Sequence, residues 1–137
     1  MGKEFITYQQ AVKLKELGFD EPCFATYNND KKISRNPSHN MEDLLIEGKP
    51  YYWNNSKVHI SCITAPLKQQ VFRYFRNNYN LQSEIHFNPL TEKWRLCEII
   101  ALNNNNKVIY DGENEFKLYE EAESSCIDEL IKIIQNK

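Results

Sequence analysis

Arg73 and Arg76 stand one helical turn apart and hold half of the chain's four arginines. An arginine's planar fork grips a carboxylate or a phosphate at two points, where lysine offers only a point charge. A second cluster, Tyr51-Tyr52-Trp53-Asn54-Asn55, sets stacking rings beside amide donors and acceptors. Rings interleaved with guanidinium groups are what a ring-stacking site needs. Tyr52, Trp53, Arg73 and Arg76 are therefore the candidate binding residues. Each has a plainer reading: Arg-x-x-Arg is ordinary on a solvated helix face, and Tyr-Tyr-Trp also suits a core strand.

Other reactive side chains lack the spacing for chemistry. Cys23, Cys62, Cys97 and Cys126 form no Cys-x-x-Cys pair, and each has apolar neighbours. They read as reduced, buried thiols that pack as small hydrophobes. His39, His59 and His86 lie far apart, and none has a chelating partner close in sequence. Four glycines are too few for a phosphate-cradling loop. No catalytic set, metal site or cofactor is expected, so the pattern points to binding and not to an enzyme. Asn54-Asn55-Ser56 matches a glycosylation sequon, but it carries weight only in an exported chain.

The chain has 137 residues, 41% of them hydrophobic, which suits one domain with one core. Seventeen basic residues against nineteen acidic give a net charge of −2, with no basic field to draw in nucleic acid. No apolar run approaches the roughly 18 residues of a membrane span, and the start Met1-Gly2-Lys3-Glu4-Phe5 carries charge where a signal peptide has its apolar core. A cytoplasmic protein is expected. Sixteen asparagines and thirteen isoleucines are the bias of an A/T-rich coding sequence.

The same helix-start pattern occurs three times: Thr7-Tyr8-Gln9-Gln10-Ala11, Leu67-Lys68-Gln69-Gln70-Val71 and Leu118-Tyr119-Glu120-Glu121-Ala122. In the first copy Thr7 and Gln10 have the spacing of a capping box. A first helix over Tyr8–Leu17 should stop at Gly18, with Phe19 folding back on Leu14. A second, over Lys68–Tyr79, turns Val71, Phe72, Phe75 and Tyr79 inward and Arg73 and Arg76 outward. A third, over Tyr119–Gln135, carries a core stripe of Ala122, Cys126, Leu130 and Ile133, widened by Ile127, Ile131 and Ile134. On this reading Glu123 is on the outer face.

Between the helices the period falls to two. Strands are expected over Cys23–Tyr27, Lys32–Ser34 and Val58–Cys62. A meander should follow, with strands around Glu84–Phe87, Trp94–Leu102 and Lys107–Tyr110. The apolar phase slips at Cys97-Glu98-Ile99-Ile100, as a bulge would make it do. Residues 36–57 read as a hairpin or a mobile excursion. The whole is a single α+β domain over 1–137, three helices packed on an antiparallel sheet in the order α-ββ-(ββ)-α-βββ-α.

Three blocks carry a resemblance: Lys15-Glu16-Leu17-Gly18-Phe19-Asp20-Glu21-Pro22-Cys23-Phe24; Ala65-Pro66 with Gln69-Gln70, Phe72-Arg73 and Phe75-Arg76 to Tyr79; and Tyr119-Glu120-Glu121-Ala122-Glu123 with Cys126, Leu130 and Ile131. In this order they resemble a family of small proteins encoded by phages and prophages of Bacteroidetes bacteria. Where relatives cap with threonine, this chain has Leu67 and Leu118. The resemblance implies a phage context and action in the bacterial cytoplasm, with no activity attached. Two functions follow as expectations. One is an accessory protein that binds a host or phage protein, or a second copy of itself, through an exposed aromatic patch. The other is a binder of a small, nucleotide-like anion, with a concave site where Arg73 or Arg76 meets a tryptophan or tyrosine ring.

Overall fold

A computed structural model describes residues 3–35, 45–46, 49–50, 54–56, 58 and 61–137. The chain forms two compact units, Met1–Leu67 and Lys68–Lys137.

The first unit opens with α1 (Tyr8–Glu16). Thr7 Oγ1 accepts the Gln10 N–H at 3.2 Å while the Thr7 N–H donates to Gln10 Oε1 at 3.0 Å, the reciprocal box expected from sequence. At the other end Gly18 takes φ +92°, a conformation that side-chain-bearing residues resist. That twist lets Gly18 and Phe19 donate back to the Lys15 and Leu14 carbonyls, each at 3.0 Å, and Phe19 and Leu14 are both buried. β1 (Ala25–Tyr27) and β2 (Ile33–Arg35) pair antiparallel around a turn held by Asn28, whose side chain accepts the Asp30 and Lys32 N–H groups. β3 (Leu45–Ile46) and β4 (Lys49–Pro50) pair as a hairpin within the segment read as hairpin or excursion.

The strand expected over Val58–Cys62 is displaced. Val58, Ser61 and Cys62 lie outside any strand, residues 59–60 lie outside the described residues, and the pairing falls on β5 (Ile63–Thr64). Asn55 explains the shift. Its amide donates to the Phe19 carbonyl at 2.8 Å and its oxygen accepts the Thr64 N–H at 3.0 Å, so the chain before Ile63 is held as a loop. The resulting sheet has the order β2-β1-β5 over a core of Phe5, Ala25 and Ala65, with Tyr27, Ile33 and Leu67 packed against it.

The second unit contains α2 (Lys68–Tyr79), β6 (Leu81–Asn88), β7 (Lys93–Ala101), β8 (Lys107–Asp111), β9 (Glu115–Phe116) and α3 (Tyr119–Gln135). All pairings are antiparallel; β7 has β6 on one side, while β8 and the unforeseen β9 share the other. α2 packs on β6 and α3, and α3 packs on β6 and β7. The strand content is therefore shared between sheets: α1 stays with the first, and α2 and α3 with the second. The α+β class stands. The phase slip around Cys97 is a bulge: Glu84 pairs with Glu98 but Ile85 pairs with Leu96, leaving Cys97 without an opposite residue.

Two faces differ from expectation. On α2 the buried residues are Lys68, Val71, Tyr74 and Phe75, while Phe72 and Tyr79 are half-buried. On α3 Ala122, Cys126, Ile127, Leu130 and Ile131 are buried, but Ile133 is only half-buried and Glu123, expected outside, is 6% exposed. Residues 123, 126, 127 and 130 lie one turn apart on a single stripe. Position, more than side-chain type, decided their burial.

α3 begins without a side-chain cap. Leu118 has the extended backbone of an N-cap (φ −109°, ψ 139°) but offers no acceptor to the first-turn amides. Leu118→Ser should raise stability by about 0.5–1 kcal/mol, because the leucine is 45% exposed and loses little packing. Thermal denaturation checks this; a lower midpoint would mean that the leucine holds more by contact than a serine holds by capping.

Candidate functional site

Of the residues singled out from sequence, Tyr52 and Trp53 lie outside the described residues. Their neighbours Asn54 and Asn55 are occupied, since their amides donate to the Asp20 and Phe19 carbonyls and tie the loop down. Arg73 and Arg76 are both exposed on α2, but the structure separates their roles. Arg76 lines a cleft of about 160 Å³ and Arg73 does not. The cleft is built from three elements of the second unit. α2 contributes Gln69, Phe72 and Arg76, which recur at helical spacing on one face. β6 contributes Leu81, Gln82, Ser83 and Ile85, and α3 contributes Tyr119.

Tyr119 was not among the candidates from sequence. It is the first residue of α3 and 36% exposed, and its ring packs edge-on against Trp94 with centroids 4.8 Å apart. Trp94 in turn packs against Phe87, its cross-strand partner, at 5.0 Å. A row of three rings thus leads away from the cleft. One signal for it was legible: the expected strands end at Phe87 and resume at Trp94, which sets the two rings opposite each other across the hairpin. Nothing in the sequence marked Tyr119 as the third member.

Beside the cleft lies a polar cluster in which Lys68 and Glu123 are buried and Gln69 is exposed. Gln69 Nε2 donates to Glu123 Oε2 at 2.7 Å, and the buried Lys68 ammonium donates to the Glu120 carbonyl at 3.1 Å. Burial pushes the Glu123 carboxyl above its ordinary value, with Lys68 and Gln69 opposing the shift. Burial likewise raises the Tyr119 hydroxyl, helped by Glu123 and opposed by Gln69. The Cys126 thiol is pushed up to about 12 by burial, so it stays protonated at neutral pH and is a poor nucleophile. Cys23 is also a buried free thiol, and Cys62 is a half-buried one.

The other face of the same sheet carries a different pattern. Glu84, Glu98 and Asp111 stand in register across β6, β7 and β8, and directly opposed residues share a face. His86 lies 3.3 Å from Glu84. Among the described residues no three His, Cys, Asp or Glu side chains converge as a metal ion would require, and no helix is long and apolar enough to cross a membrane. The arrangement around Arg76 can therefore hold an anion beside aromatic rings. It presents no base aligned on a nucleophile. No family model matches the chain, and neither the curated proteins nor the solved structures yield a match.

Proposed function

We propose that the protein is a phage-type accessory protein that acts by non-catalytic binding of a host or phage protein in the bacterial cytoplasm. The supporting observation is that Tyr119 belongs both to the Arg76 cleft and to the ring row it forms with Trp94 and Phe87. Aromatic residues and arginine dominate binding energy at protein interfaces, because both combine large contact area with directed polar contacts. Phe87 is 47% exposed, and Leu90 at the tip of the same hairpin is 93% exposed, so apolar surface continues beyond the rings. A net charge of −2 favours a protein partner, or a second copy of the chain, over nucleic acid. The phage setting rests on the resemblance carried by the Lys15–Phe24 block and the helix faces.

Trp94→Ala should weaken partner binding by about 2 kcal/mol or more if the row is an interface centre. The test is affinity capture from bacterial lysate with wild type, Trp94→Ala and Phe24→Ala, the last an exposed ring of the other unit. A partner kept by wild type and Phe24→Ala but lost from Trp94→Ala supports the reading. Identical capture by all three rejects it.

A second reading, sequestration of a nucleotide-like signal, draws on Arg76 and Tyr119 sharing a concave site. It ranks second because about 160 Å³ is half of the roughly 300 Å³ at which pockets for drug-sized ligands begin. Native mass spectrometry, which would show a retained nucleotide, separates the two.

A further inference from the structure

The Arg76 cleft differs from the ring row in charge, size and polarity, and these three properties together select a ligand chemistry. Arg76 has no hydrogen bond or ion pair among the described residues. An unengaged guanidinium beside two rings retains its bidentate donor face for an incoming anion. The charge offered is single. Neither Arg73 nor Lys68 is part of the lining, and the Lys68 charge is opposed by the nearby Glu123 carboxyl. The remaining polar lining, Gln69, Gln82, Ser83 and the Tyr119 hydroxyl, is neutral at physiological pH. A singly charged anion balances such a site better than a phosphate dianion. Size narrows the choice again: a cavity of roughly 150 Å³ is enough for one benzene ring, and this cleft measures about 160 Å³. Phe72 and Tyr119 supply the ring-packing walls.

Resting on the reading of this surface as a binding site, we infer that the cleft anchors a single carboxylate attached to one ring-sized apolar group. Arg76 takes the carboxylate, and Phe72 and Tyr119 take the apolar group. The same chemistry occurs in a free aromatic acid and in the C-terminal aromatic residue of a partner chain.

The test is a nitrogen-15 NMR titration of the full chain with benzoate, with neutral isosteric benzamide and with inorganic phosphate. Acetyl-Gly-Gly-Phe is added as free acid and as C-terminal amide. Benzoate should shift the Gln69, Ser83 and Tyr119 amide signals saturably, with benzamide and phosphate weaker by about tenfold or more, the value of a charge-assisted pair. Tighter binding of the free-acid peptide than of benzoate, lost on amidation, assigns the anchor to a chain end. Binding of benzoate alone assigns it to a free acid. Arg76→Gln should abolish the shifts and Arg73→Gln should leave them, each variant first shown to keep the wild-type spectrum away from the cleft. Equal response to benzoate and benzamide, no response to benzoate, or full benzoate binding by Arg76→Gln overturns the inference. Phe87→Ala separates this result from the wider reading: its ring meets Trp94 and does not line the cleft, so the change should weaken partner capture yet leave benzoate binding in place.

Discussion

Leu130→Ala is expected to cost about 2–5 kcal/mol of stability. Leu130 is 0% exposed and lies on the stripe with Ala122, Cys126, Ile127 and Ile131, where α3 packs on β6, β7 and α2. Removing its branched end takes away buried apolar area and leaves a void that close-packed neighbours fill only in part. Ile133→Ala, one turn on but half-buried, should cost roughly 1 kcal/mol or less. Urea denaturation of both variants decides the matter. Equal midpoints would mean that α3 is rotated from the orientation described.

The second large effect concerns Glu123, and its size depends on pH. A buried carboxyl whose folded-state value lies above the unfolded one holds its proton more tightly in the native state. Its contribution to stability is full below the ordinary glutamate value of 4.5 and is lost as pH rises through the raised folded value. Lys68 and Gln69 on α2 oppose the shift, and Glu120 on α3 adds to it. Glu123→Gln should match wild type near pH 4 and exceed it at pH 8, since the amide can still accept from Gln69 without paying for a buried charge. Glu123→Ala is a different case. It removes the acceptor 2.7 Å from the Gln69 amide, but Gln69 is exposed and water replaces that partner, so the cost should be about 1 kcal/mol near pH 4, the net value of one hydrogen bond. Stability curves of the three proteins from pH 4 to 8 check both statements; parallel curves for wild type and Glu123→Gln would refute the first.

Local signals were the ones legible in the sequence. The capping pair Thr7 and Gln10, the stop at Gly18, the bounds of α2 and α3 and the slip at Cys97 all depend on residues within a few positions of each other, and all appear in the fold. What sequence reading missed depends on partners far along the chain. Glu123 is buried because Gln69 meets it and Lys68 lies near, 54 and 55 residues away, and a glutamate read alone belongs to solvent. β9 is two residues long, too short for a period to show, and exists only because Trp94 and Arg95 offer it an edge. Asn55 had the chemistry of a ligand donor, yet its bonds to Phe19 and Thr64 make it a loop tie. Arg76 was identified without the cleft around it, because Tyr119 reaches that cleft only through the packing of α3.

The unpaired Cys97 has a bearing on how this surface could change by descent. Trp94 and Ile99 are five positions apart, an odd interval that in an unbroken strand would put their side chains on opposite faces. The bulge absorbs one position, so Trp94 pairs with Phe87 while Ile99 pairs with Ser83, and both align with the same alternate residues of β6. Loss of a single codon at Cys97 would restore strict alternation and leave every partner in place: Glu98 stays opposite Glu84, Leu96 opposite Ile85 and Trp94 opposite Phe87. The bulged position is thus a surplus residue, one that an in-frame deletion removes with the aromatic contact surface, the three helices and their capping residues untouched.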